Sequence, residues 1–535
     1  MMNAIDPNLK RKAFSALATN TRIVVYLRRP RNAALEFREE QTLKIADRRH
    51  EEVLKKTITR CRERRIVIPM LRQLMNPTTI PQAIKDRLSK VGLWDIDPVN
   101  LFRITWKNEP VASGGGFNNG NWIEFPSSLT HTPARIIGIV GKHFPTGAHK
   151  VGAAFGCLAP RLVSGEFDPS TQKAVWPSTG NFCRGGAFDC AVLACTAVAI
   201  LPEGMSRERF EWLRSIGAEV IATPGCESNV KEIYDKCWEI RKTRPECVIF
   251  NQFEEFGNAV WHYHCTGGIV DEIFKSLSSE TKSGRRSALR LAAFVSATGS
   301  AGTIAAGDYL KSQHADVRVV AVEALQCPTL LQCGFGDHRI EGIGDKHVPW
   351  IHNVRNTDLV SAIDDEQCVS LIRLFNEDVG RSHLERCGVS RETLDRLPDI
   401  GISSICNLLA AIKTSKYYEM NSRDVVFIPL TDSMELYGSR IAEYRMDRGP
   451  YRDSDAVAHT ARYLEGITTD HLRELSFVDR KALHNLKYFT WVEQQQRRTD
   501  DLRALWEPDF WAETYTQVEE WDRQIDKFNR EVAVV

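Results

Sequence analysis

The chain has 535 residues, of which 43% are hydrophobic and 26% are charged, so it is long enough for two or three domains with an ordinary globular core. Its formal net charge is only +1, whereas proteins that bind nucleic acids or anionic membranes usually have an excess of basic residues. We therefore expect neither a nucleic acid nor a membrane as a partner. The start of the sequence has no secretory h-region, and no apolar run is long enough to predict a membrane-spanning helix. The 14 cysteines are scattered without a C-x-x-C pair, which indicates reduced thiols in a cytoplasmic protein.

The predicted elements divide the chain into three regions. Residues 1–125 form a mostly helical N-terminal extension, because segments such as EFREEQTLKIADRRHEEVLKKTITRCRERR are charged and favour helix. From about residue 134, short apolar runs alternate with helical stretches, which predicts an α/β fold with mainly parallel sheets. The predicted strands are ARIIGIVG, AVAILPE, AEVIATPG, ECVIFN, LAAFVSATG, RVVAVEA and DVVFIPL. Residues 450–535 are again charged and helical, and we expect them to pack on the core or on a second subunit.

A lysine follows the first of these predicted strands. Residues 144–150, FPTGAHK, come directly after ARIIGIVG and end in His149 and Lys150. A strand, a small-residue turn and a lysine at a helix start place the amine at the carboxyl edge of a sheet, where open α/β sheets bind ligands. When it is partly desolvated, such a lysine can form a Schiff base. By itself the pattern also fits a solvated lysine that opens a helix.

A turn of hydroxyl, glycine and amide residues follows the apolar residues AVW. Residues 177–182, PSTGNF, place several N–H and O–H donors on one turn, and such a nest suits a carboxylate. A plain Ser/Thr helix cap with an asparagine in the turn would have the same sequence, so the motif leaves both interpretations open.

A glycine-rich loop, TGSAGT over 298–303, separates the strand-like LAAFVSA from the helical IAAGDYLK. A loop of this kind at a helix N-terminus can bind a phosphate through free N–H groups and a favourable dipole. It has neither the P-loop lysine nor the G-x-G-x-x-G spacing, so a phosphate without a nucleotide is the better interpretation. The lysine would react with an aldehyde, the loop would bind a phosphate and the turn would bind a carboxylate. Pyridoxal phosphate with an amino-acid substrate has these three groups.

The sequence resembles the tryptophan-synthase-β type of pyridoxal-phosphate enzymes (fold type II), and within it the cysteine synthase and cystathionine β-synthase family. The resemblance runs from about Arg135 to Arg440, more than half of the chain. Its motifs, in the family's order, are RIIGIVGKHFPTGAHK, STGNF, LPEGMSRERFEWLRSIGAEVIATPG, NQFEEFGNAVWHYHCTGGIVDEI, GSAGT, IEGIGDKHVP and TDSMELY. The ending Gly-Ala-His-Lys is closer to tryptophan synthase β.

The resemblance implies an α/β fold of two open-sheet domains with the cofactor in the cleft between them. The large domain would take residues 126–148 and 253–449, and the small domain, residues 149–252, would close over the substrate. The helical extensions, 1–125 and 450–535, have no counterpart in the short cysteine synthases. We expect a homodimer, whose interface could include the helical extensions.

The resemblance also implies a role for each matching residue. Lys150 would hold pyridoxal 5'-phosphate as a Schiff base and act as general acid and base at Cα. Asn181 would bond the pyridine hydroxyl, Ser433 would face the pyridine nitrogen, and Gly342 would line the amino-acid end of the cofactor site. The cofactor phosphate would be bound by Gly299, Ser300, Ala301, Gly302 and Thr303, with a further contact from His149. The substrate carboxylate would be bound by Ser178, Thr179, Gly180, Gln252 and Phe182, the last through its backbone N–H.

A serine at the pyridine nitrogen bears on the reaction. Unlike a carboxylate, a hydroxyl does not keep the ring protonated, so loss of a leaving group from Cβ is favoured over transamination. We therefore expect a cysteine-synthase-like lyase or transferase of amino-acid metabolism, acting by β-elimination or β-replacement on a 3-substituted L-alanine of the serine, O-acylserine or cysteine type. A deaminating serine/threonine dehydratase or tryptophan-synthase-like lyase is an alternative. A non-catalytic regulatory protein is another, but the intact lysine, turn and loop disfavour it.

Some residues depart from the family pattern. After Asn181 the family has small or aliphatic residues, whereas this chain has Phe182, Cys183 and Arg184. Arg184 could pair with a second anionic group of the substrate or point to solvent. Cys183 could be a reactive thiol or a buried filler. Compared with the family, two extra residues separate the strand DVVFIP from Ser433. Thr431 is therefore the alternative residue to face the pyridine nitrogen.

The sequence WHYHC invites a metal interpretation that we do not adopt. His262 and His264 would face different sides of a helix. Cys327 and Cys333 lack a second close pair for zinc. We therefore expect no metal site.

Overall fold

The computed structural model describes residues 50–110, 113–178, 180–225, 230–282 and 288–532. The elements given below belong to the compact unit of residues 52–535. The described strands are β1 (Trp122–Phe125), β2 (Arg135–Val140), β3 (Lys173–Pro177), β4 (Thr196–Pro202), β5 (Glu219–Thr223), β6 (Cys247–Ile249), β7 (Arg290–Ala297), β8 (Arg318–Ala324), β9 (Leu359–Ile363), β10 (Asp424–Leu430) and β11 (Leu472–Glu474).

Helices precede, separate and follow these strands. Residues 52–63 are helical. The helices after them are α1 (Leu71–Met75), α2 (Gln82–Leu88), α3 (Ser127–Thr130), α4 (Lys150–Ser164), α5 (Asn181–Val192), α6 (Arg207–Ser215), α7 (Val230–Thr243), α8 (Phe256–Trp261), α9 (Gly267–Lys282), α10 (Ala305–Gln313), α11 (Thr329–Gln332), α12 (Asp365–Asn376), α13 (Asp378–Arg386), α14 (Arg391–Arg396), α15 (Ile402–Tyr417), α16 (Gly438–Arg448), α17 (Asp453–Thr460), α18 (Phe477–Lys487), α19 (Thr499–Ala504) and α20 (Pro508–Val532). A π-helical turn, His262–Thr266, joins α8 to α9. None of the described helices is both long and apolar enough to span a membrane.

The strands form two sheets. The larger has the order β1-β2-β10-β7-β8-β9-β11, and the smaller has the order β5-β4-β3-β6. The five inner strands of the larger sheet and all four strands of the smaller are parallel, whereas β1 and β11 pair antiparallel at the edges. The predicted fold class is therefore confirmed, and all seven predicted strands are present. The smaller sheet lies within residues 149–252, but the domain boundaries themselves stay a prediction.

The C-terminal region is helical with one exception. Strand β11 extends the larger sheet by pairing with β9, for example Arg473 with Val360. The helix-favouring segment of the N-terminal extension that precedes residue 50 lies outside the described residues.

The start of α1, in the described part of the N-terminal extension, contacts helix α20 of the C-terminal extension. The Asp522 carboxylate on α20 accepts hydrogen bonds from the N–H groups of Leu71 (2.6 Å) and Arg72 (3.1 Å) at the start of α1. The Asn529 side chain bonds both the N–H and the carbonyl of Ile68, at 3.1 and 2.8 Å. Residues 68–72 of the N-terminal extension are thus held by the last described helix.

Tight packing of α5 on α4 fixes the position of the predicted catalytic lysine. A Cβ atom on Gly185 would lie 2.9 Å from the carbonyl oxygen of Lys150 and 2.8 Å from the nitrogen of Val151. Only a residue without a side chain allows this approach. The first turn of α4 is therefore held rigidly against α5, which carries Asn181 and Arg184.

Candidate active site

Lys150 begins α4 directly after a turn that follows β2. The turn is attached to the end of β10, because the Gly141 N–H bonds the Leu430 carbonyl at 2.8 Å and the His149 N–H bonds the Thr431 carbonyl at 3.3 Å. Lys150 is only 8% exposed. Its Nζ donates a hydrogen bond to Ser300 Oγ at 2.9 Å, which joins the predicted Schiff-base lysine to the predicted phosphate loop.

His149 is fully buried in an aromatic environment. Its ring lies 4.9 Å from the His262 ring and 5.4 Å from the Trp106 ring. Burial, helped by the positive charge of Lys150, lowers the pKa of His149 to about 3, so the ring is neutral at physiological pH. Its Nε2 bonds Thr431 Oγ1 at 3.2 Å, while Nδ1 has no partner among the described residues. The predicted phosphate contact of His149 stays a prediction.

The phosphate loop connects β7 to α10. In the part of the chain that the structure describes, the backbone N–H groups of residues 299–303 have no hydrogen-bond acceptor. Ser300 Oγ accepts bonds from Lys150 Nζ and from Asn258 Nδ2, the latter at 3.0 Å. A Cβ on Gly302 would lie 1.9 Å from Asn258 Oδ1, so glycine is required there. Free N–H donors at a helix start are suited to a phosphate.

The predicted carboxylate turn follows β3. Ser178 Oγ accepts a hydrogen bond from the Gly180 N–H at 3.0 Å, and Thr179 lies outside the described residues. Gly180 has φ +148°, and a Cβ there would lie 1.8 Å from Arg209 Nη1. The N–H groups of Asn181 and Phe182 have no acceptor among the described residues.

Gln252 and Gly342 lie in loops beside these motifs. Gln252 is buried after β6, and its carbonyl accepts a bond from Asn258 Nδ2 at 3.0 Å. Gly342 has φ +95°, and its carbonyl oxygen would be 3.0 Å from a Cβ on Gly299. Asn258 therefore links the Gln252 loop to Ser300, and Gly342 lies against the phosphate loop.

A chain of buried polar side chains connects the two sheets at this site. Asn181 Nδ2 donates to Asp432 Oδ2 at 2.6 Å, the Tyr437 hydroxyl donates to the same oxygen at 2.8 Å, and Arg209 Nη2 donates to the Tyr437 hydroxyl at 3.0 Å. Burial raises the pKa of Asp432, although Arg209 and the two hydrogen bonds oppose the shift. Beside this chain, Ser433 Oγ is buried without a described partner.

These features fit pyridoxal phosphate. The loop 299–303 offers unpaired N–H donors for its phosphate, and the Lys150 amine adjoins that loop. Ser433 Oγ and Asn181 Oδ1 are buried polar atoms with no described partner, which a polar ring would satisfy.

Comparison with known proteins gives the same answer. The family model "Pyridoxal-phosphate dependent enzyme" matches residues 142–396. A probable cysteine synthase of Bacillus subtilis is 30% identical over 261 residues, which cover 48% of this chain and 80% of that protein. The chain belongs to the cysteine synthase family of pyridoxal-phosphate enzymes.

Other relatives agree with this assignment. Cysteine synthase B of Campylobacter jejuni is 29% identical over 294 residues, which cover 55% of this chain and 86% of that protein. The crystal structure of a cysteine synthase from Entamoeba histolytica has a TM-score of 0.51 at 20% identity and covers 64% of this chain and 92% of its own, so the fold is shared. The protein is thus a pyridoxal-phosphate-dependent enzyme, as the resemblance predicted.

Sequence reasoning missed Asp345, which follows Gly342 in the family motif IEGIGDKHVP. The Gly344 N–H bonds the Thr298 carbonyl at 3.0 Å, so this segment lies beside the phosphate loop. Burial raises the pKa of Asp345 to about 8, and the charge of Lys150 opposes the shift. Its Oδ2 has no described partner. The signal in the sequence that could have identified Asp345 is its position as an acidic residue within the family motif IEGIGDKHVP.

Two open alternatives concern the residues after Asn181. Arg184 is 2% exposed, so it does not point to solvent. Cys183 is fully buried, its Sγ lies 2.9 Å from the Gly180 carbonyl oxygen, and burial raises its pKa to about 12. A thiol that stays protonated at neutral pH favours the buried filler over the reactive cysteine.

The histidines of the WHYHC sequence have separate partners. His262 Nδ1 bonds Thr266 Oγ1 at 2.8 Å, and His264 Nε2 bonds the Tyr515 carbonyl at 2.8 Å. Within the described ranges, no three His, Cys, Asp or Glu side chains are grouped as metal ligands.

Proposed function

We propose that this enzyme catalyses β-replacement or β-elimination on a 3-substituted L-alanine of the serine, O-acylserine or cysteine type. The observation that carries the proposal is the placement of the buried Lys150 amine 2.9 Å from Ser300 Oγ, in a loop whose N–H groups have no acceptor among the described residues. The helix that begins at the turn after β3 packs directly against Lys150. The curated relatives, which are named cysteine synthases, support the same chemistry.

The phosphate loop and two buried polar side chains would hold the cofactor. The N–H groups of residues 299–303, with the hydroxyls of Ser300 and Thr303, would hold the cofactor phosphate. Asn181 and Ser433 would hold its ring, with Gly342 at the amino-acid end. When bound, pyridoxal phosphate supplies an electron sink that makes the Cα–H of an amino acid acidic.

The protein's own groups would then bind, orient and move protons. The N–H groups of Asn181 and Phe182 begin α5, where the helix dipole favours an anion, so they would bind the substrate carboxylate with Ser178, Thr179, Gly180 and Gln252. Lys150, close to Ser300, would take the proton from Cα and return a proton to the departing group. Because His149 is neutral, it adds no positive charge beside that amine.

We further propose that the enzyme is a cytoplasmic homodimer. All thirteen described cysteines are unpaired, which suits a reducing compartment. Large apolar side chains are exposed on the C-terminal extension, at Phe477, Val478 and Phe489, and offer a surface for a second subunit. Sedimentation of the purified protein at several concentrations tests the dimer, and a monomer at all of them contradicts it.

The reaction is tested with a panel of 3-substituted L-alanines, each added to the purified holoenzyme with and without sulfide. We expect a change in cofactor absorbance with at least one serine derivative, followed by cysteine with sulfide and pyruvate without it. Pyruvate or 2-oxobutanoate from free serine or threonine, unaffected by sulfide, would instead indicate a deaminating dehydratase. A holoenzyme whose absorbance and products change with no member of the panel contradicts the proposal.

A further inference from the structure

Arg184 is a buried cation with no acidic partner in the part of the chain that the structure describes. It lies on the first turn of α5, three residues after Asn181, and is 2% exposed. Its guanidinium carbon is 4.7 Å from the Trp212 ring centre and 5.4 Å from that of Trp94. Its Nε and Nη1 atoms have no hydrogen-bond acceptor, and no carboxylate among the described residues is ion-paired with it. Cation–π contact offsets part of the desolvation cost but leaves these N–H groups unsatisfied.

The two tryptophans connect Arg184 with the lysine turn. Their rings meet edge to face at 6.0 Å. A Cβ on Gly147, three residues before Lys150, would lie 2.9 Å from the Trp94 ring. Trp94 belongs to the N-terminal extension and Trp212 to α6, so the guanidinium is held where the extension and the smaller-sheet region meet the turn that leads to Lys150.

Two buried acids of this region, Asp432 and Glu341, are already engaged. Asp432, whose negative charge raises the pKa of Arg184, accepts hydrogen bonds from Asn181 and Tyr437. Glu341 lies 3.3 Å from Arg209 and 2.6 Å from Arg440. Burial and the charge of Arg209 lower the pKa of Arg184 to about 10, which still leaves it cationic at neutral pH. Arg184, two residues after the carboxylate turn, therefore has a positive charge with no ion-pair partner among the described residues.

We propose that Arg184 binds a second anionic group, a phosphate or a carboxylate, on the side chain of the amino-acid substrate. This inference rests on the proposed function and narrows its substrate class. Phosphate and carboxylate oxygens are the acceptors that guanidinium N–H donors bind most strongly, and the two flanking rings hold the guanidinium in place before binding.

The test compares the holoenzyme with Arg184→Met on two matched pairs of substrates. The first pair is O-phospho-L-serine and O-acetyl-L-serine, and the second is S-carboxymethyl-L-cysteine and S-ethyl-L-cysteine. We expect kcat/KM for the anionic member of at least one pair to fall by about tenfold to a hundredfold, the range for a lost hydrogen bond to a charged group. The neutral members should change by less than about threefold. A selective loss in the first pair indicates that Arg184 binds a phosphate, and a selective loss in the second pair indicates that it binds a carboxylate.

Controls separate this effect from misfolding. Methionine has a similar shape and removes the buried charge, so Arg184→Met should fold, and Arg184→Gln serves as a second variant. Arg318→Met is the matched control: its guanidinium lies 4.1 Å from the Tyr418 ring, but it begins β8 at the amino edge of the sheet, away from the carboxyl-edge site. This variant should behave as wild type with all four substrates.

Equal losses on anionic and neutral substrates, or no loss on either, would overturn the inference. If the wild type turns over neither anionic compound, calorimetry with O-phospho-L-serine and S-carboxymethyl-L-cysteine tests the site by itself, whereas the proposed function is decided by the full panel of 3-substituted L-alanines. About tenfold weaker binding of either compound to Arg184→Met would support the anion site, whereas unchanged affinities, or no binding to wild type, would refute it.

Discussion

Gly302→Ala tests the geometry of the phosphate loop directly. The new Cβ would lie 1.9 Å from Asn258 Oδ1 and 2.5 Å from its Cγ, so the Asn258 amide has to move. That amide donates to Ser300 Oγ and to the Gln252 carbonyl, both at 3.0 Å. The same Ser300 oxygen accepts from Lys150 Nζ, so the displacement reaches the catalytic lysine.

The expected cost follows from these contacts. Overpacking a tightly filled site costs about 1–3 kcal/mol. Each of the two Asn258 hydrogen bonds contributes about 1 kcal/mol. We therefore expect the free energy of unfolding to fall by about 3–5 kcal/mol, a large part of the roughly 5–15 kcal/mol that stabilises a typical protein. Loss of N–H contacts to the phosphate should weaken cofactor binding by about tenfold to a hundredfold.

Two measurements check this prediction: urea unfolding of the apo protein, and titration of the apo protein with pyridoxal phosphate. Gly268→Ala on α9 is the matched control, because no atom beyond its chain neighbours and the backbone of its own helix lies within 4 Å of the added Cβ. It should leave cofactor affinity unchanged and raise stability by up to about 1 kcal/mol. Adding Asn258→Ala to Gly302→Ala relieves the clash, so the double variant should be more stable than the sum of single effects implies. Gly302→Ala with wild-type stability and affinity would refute the assigned loop geometry.

Three other predictions concern the lysine, the ring partner and Asp345. Lys150→Ala should lose the yellow absorbance of the lysine-linked cofactor, and borohydride reduction with peptide mapping that labels another lysine would contradict the assignment. Ser433→Asp should slow release of the β-substituent in stopped-flow assays, because an acidic partner keeps the ring nitrogen protonated; unchanged turnover would implicate Thr431 instead. The pKa of Asp345 is about 8 in the folded protein, compared with an ordinary value of 3.8. Between pH 3.8 and pH 8 the folded protein therefore retains a proton that the unfolded chain releases. The free energy of unfolding thus falls as the pH rises through this range. Asp345→Asn should reduce this fall in urea unfolding between about pH 5 and pH 8, and an unchanged slope would disprove the shifted pKa.

The repeated strand pattern made the fold predictable from sequence. Runs such as RIIGIV and DVVFIPL are almost wholly apolar, as strands buried on both faces must be. Strand β9, LVSAI, was not predicted, because five residues with a central serine resemble many loop segments. The edge strands β1 and β11 have only three or four residues, and their partners in the sheet determine their conformation.

The site could be predicted only where its residues belong to local motifs. Lys150, the loop 299–303 and the turn 178–182 each follow a strand, and their chemistry can be read from consecutive residues. Asp432 was missed, because its bond to Asn181 joins positions 251 residues apart. The contact of Trp94 with Arg184 depends on how the N-terminal extension packs, for which the sequence has no periodic signal.

The meeting of the two extensions has a consequence for the order of folding. The contacts of Leu71 with Asp522 and of Ile68 with Asn529 close loops of 451 and 461 residues. Contacts of such long sequence separation form late, and α20 is synthesised after both sheets. The N-terminal extension, which brings Trp94 and Trp106 to the lysine turn, therefore completes its packing only after synthesis has passed α20. A nascent chain that stops before this helix would contain all the sheet strands but would leave the support of Lys150 unfinished.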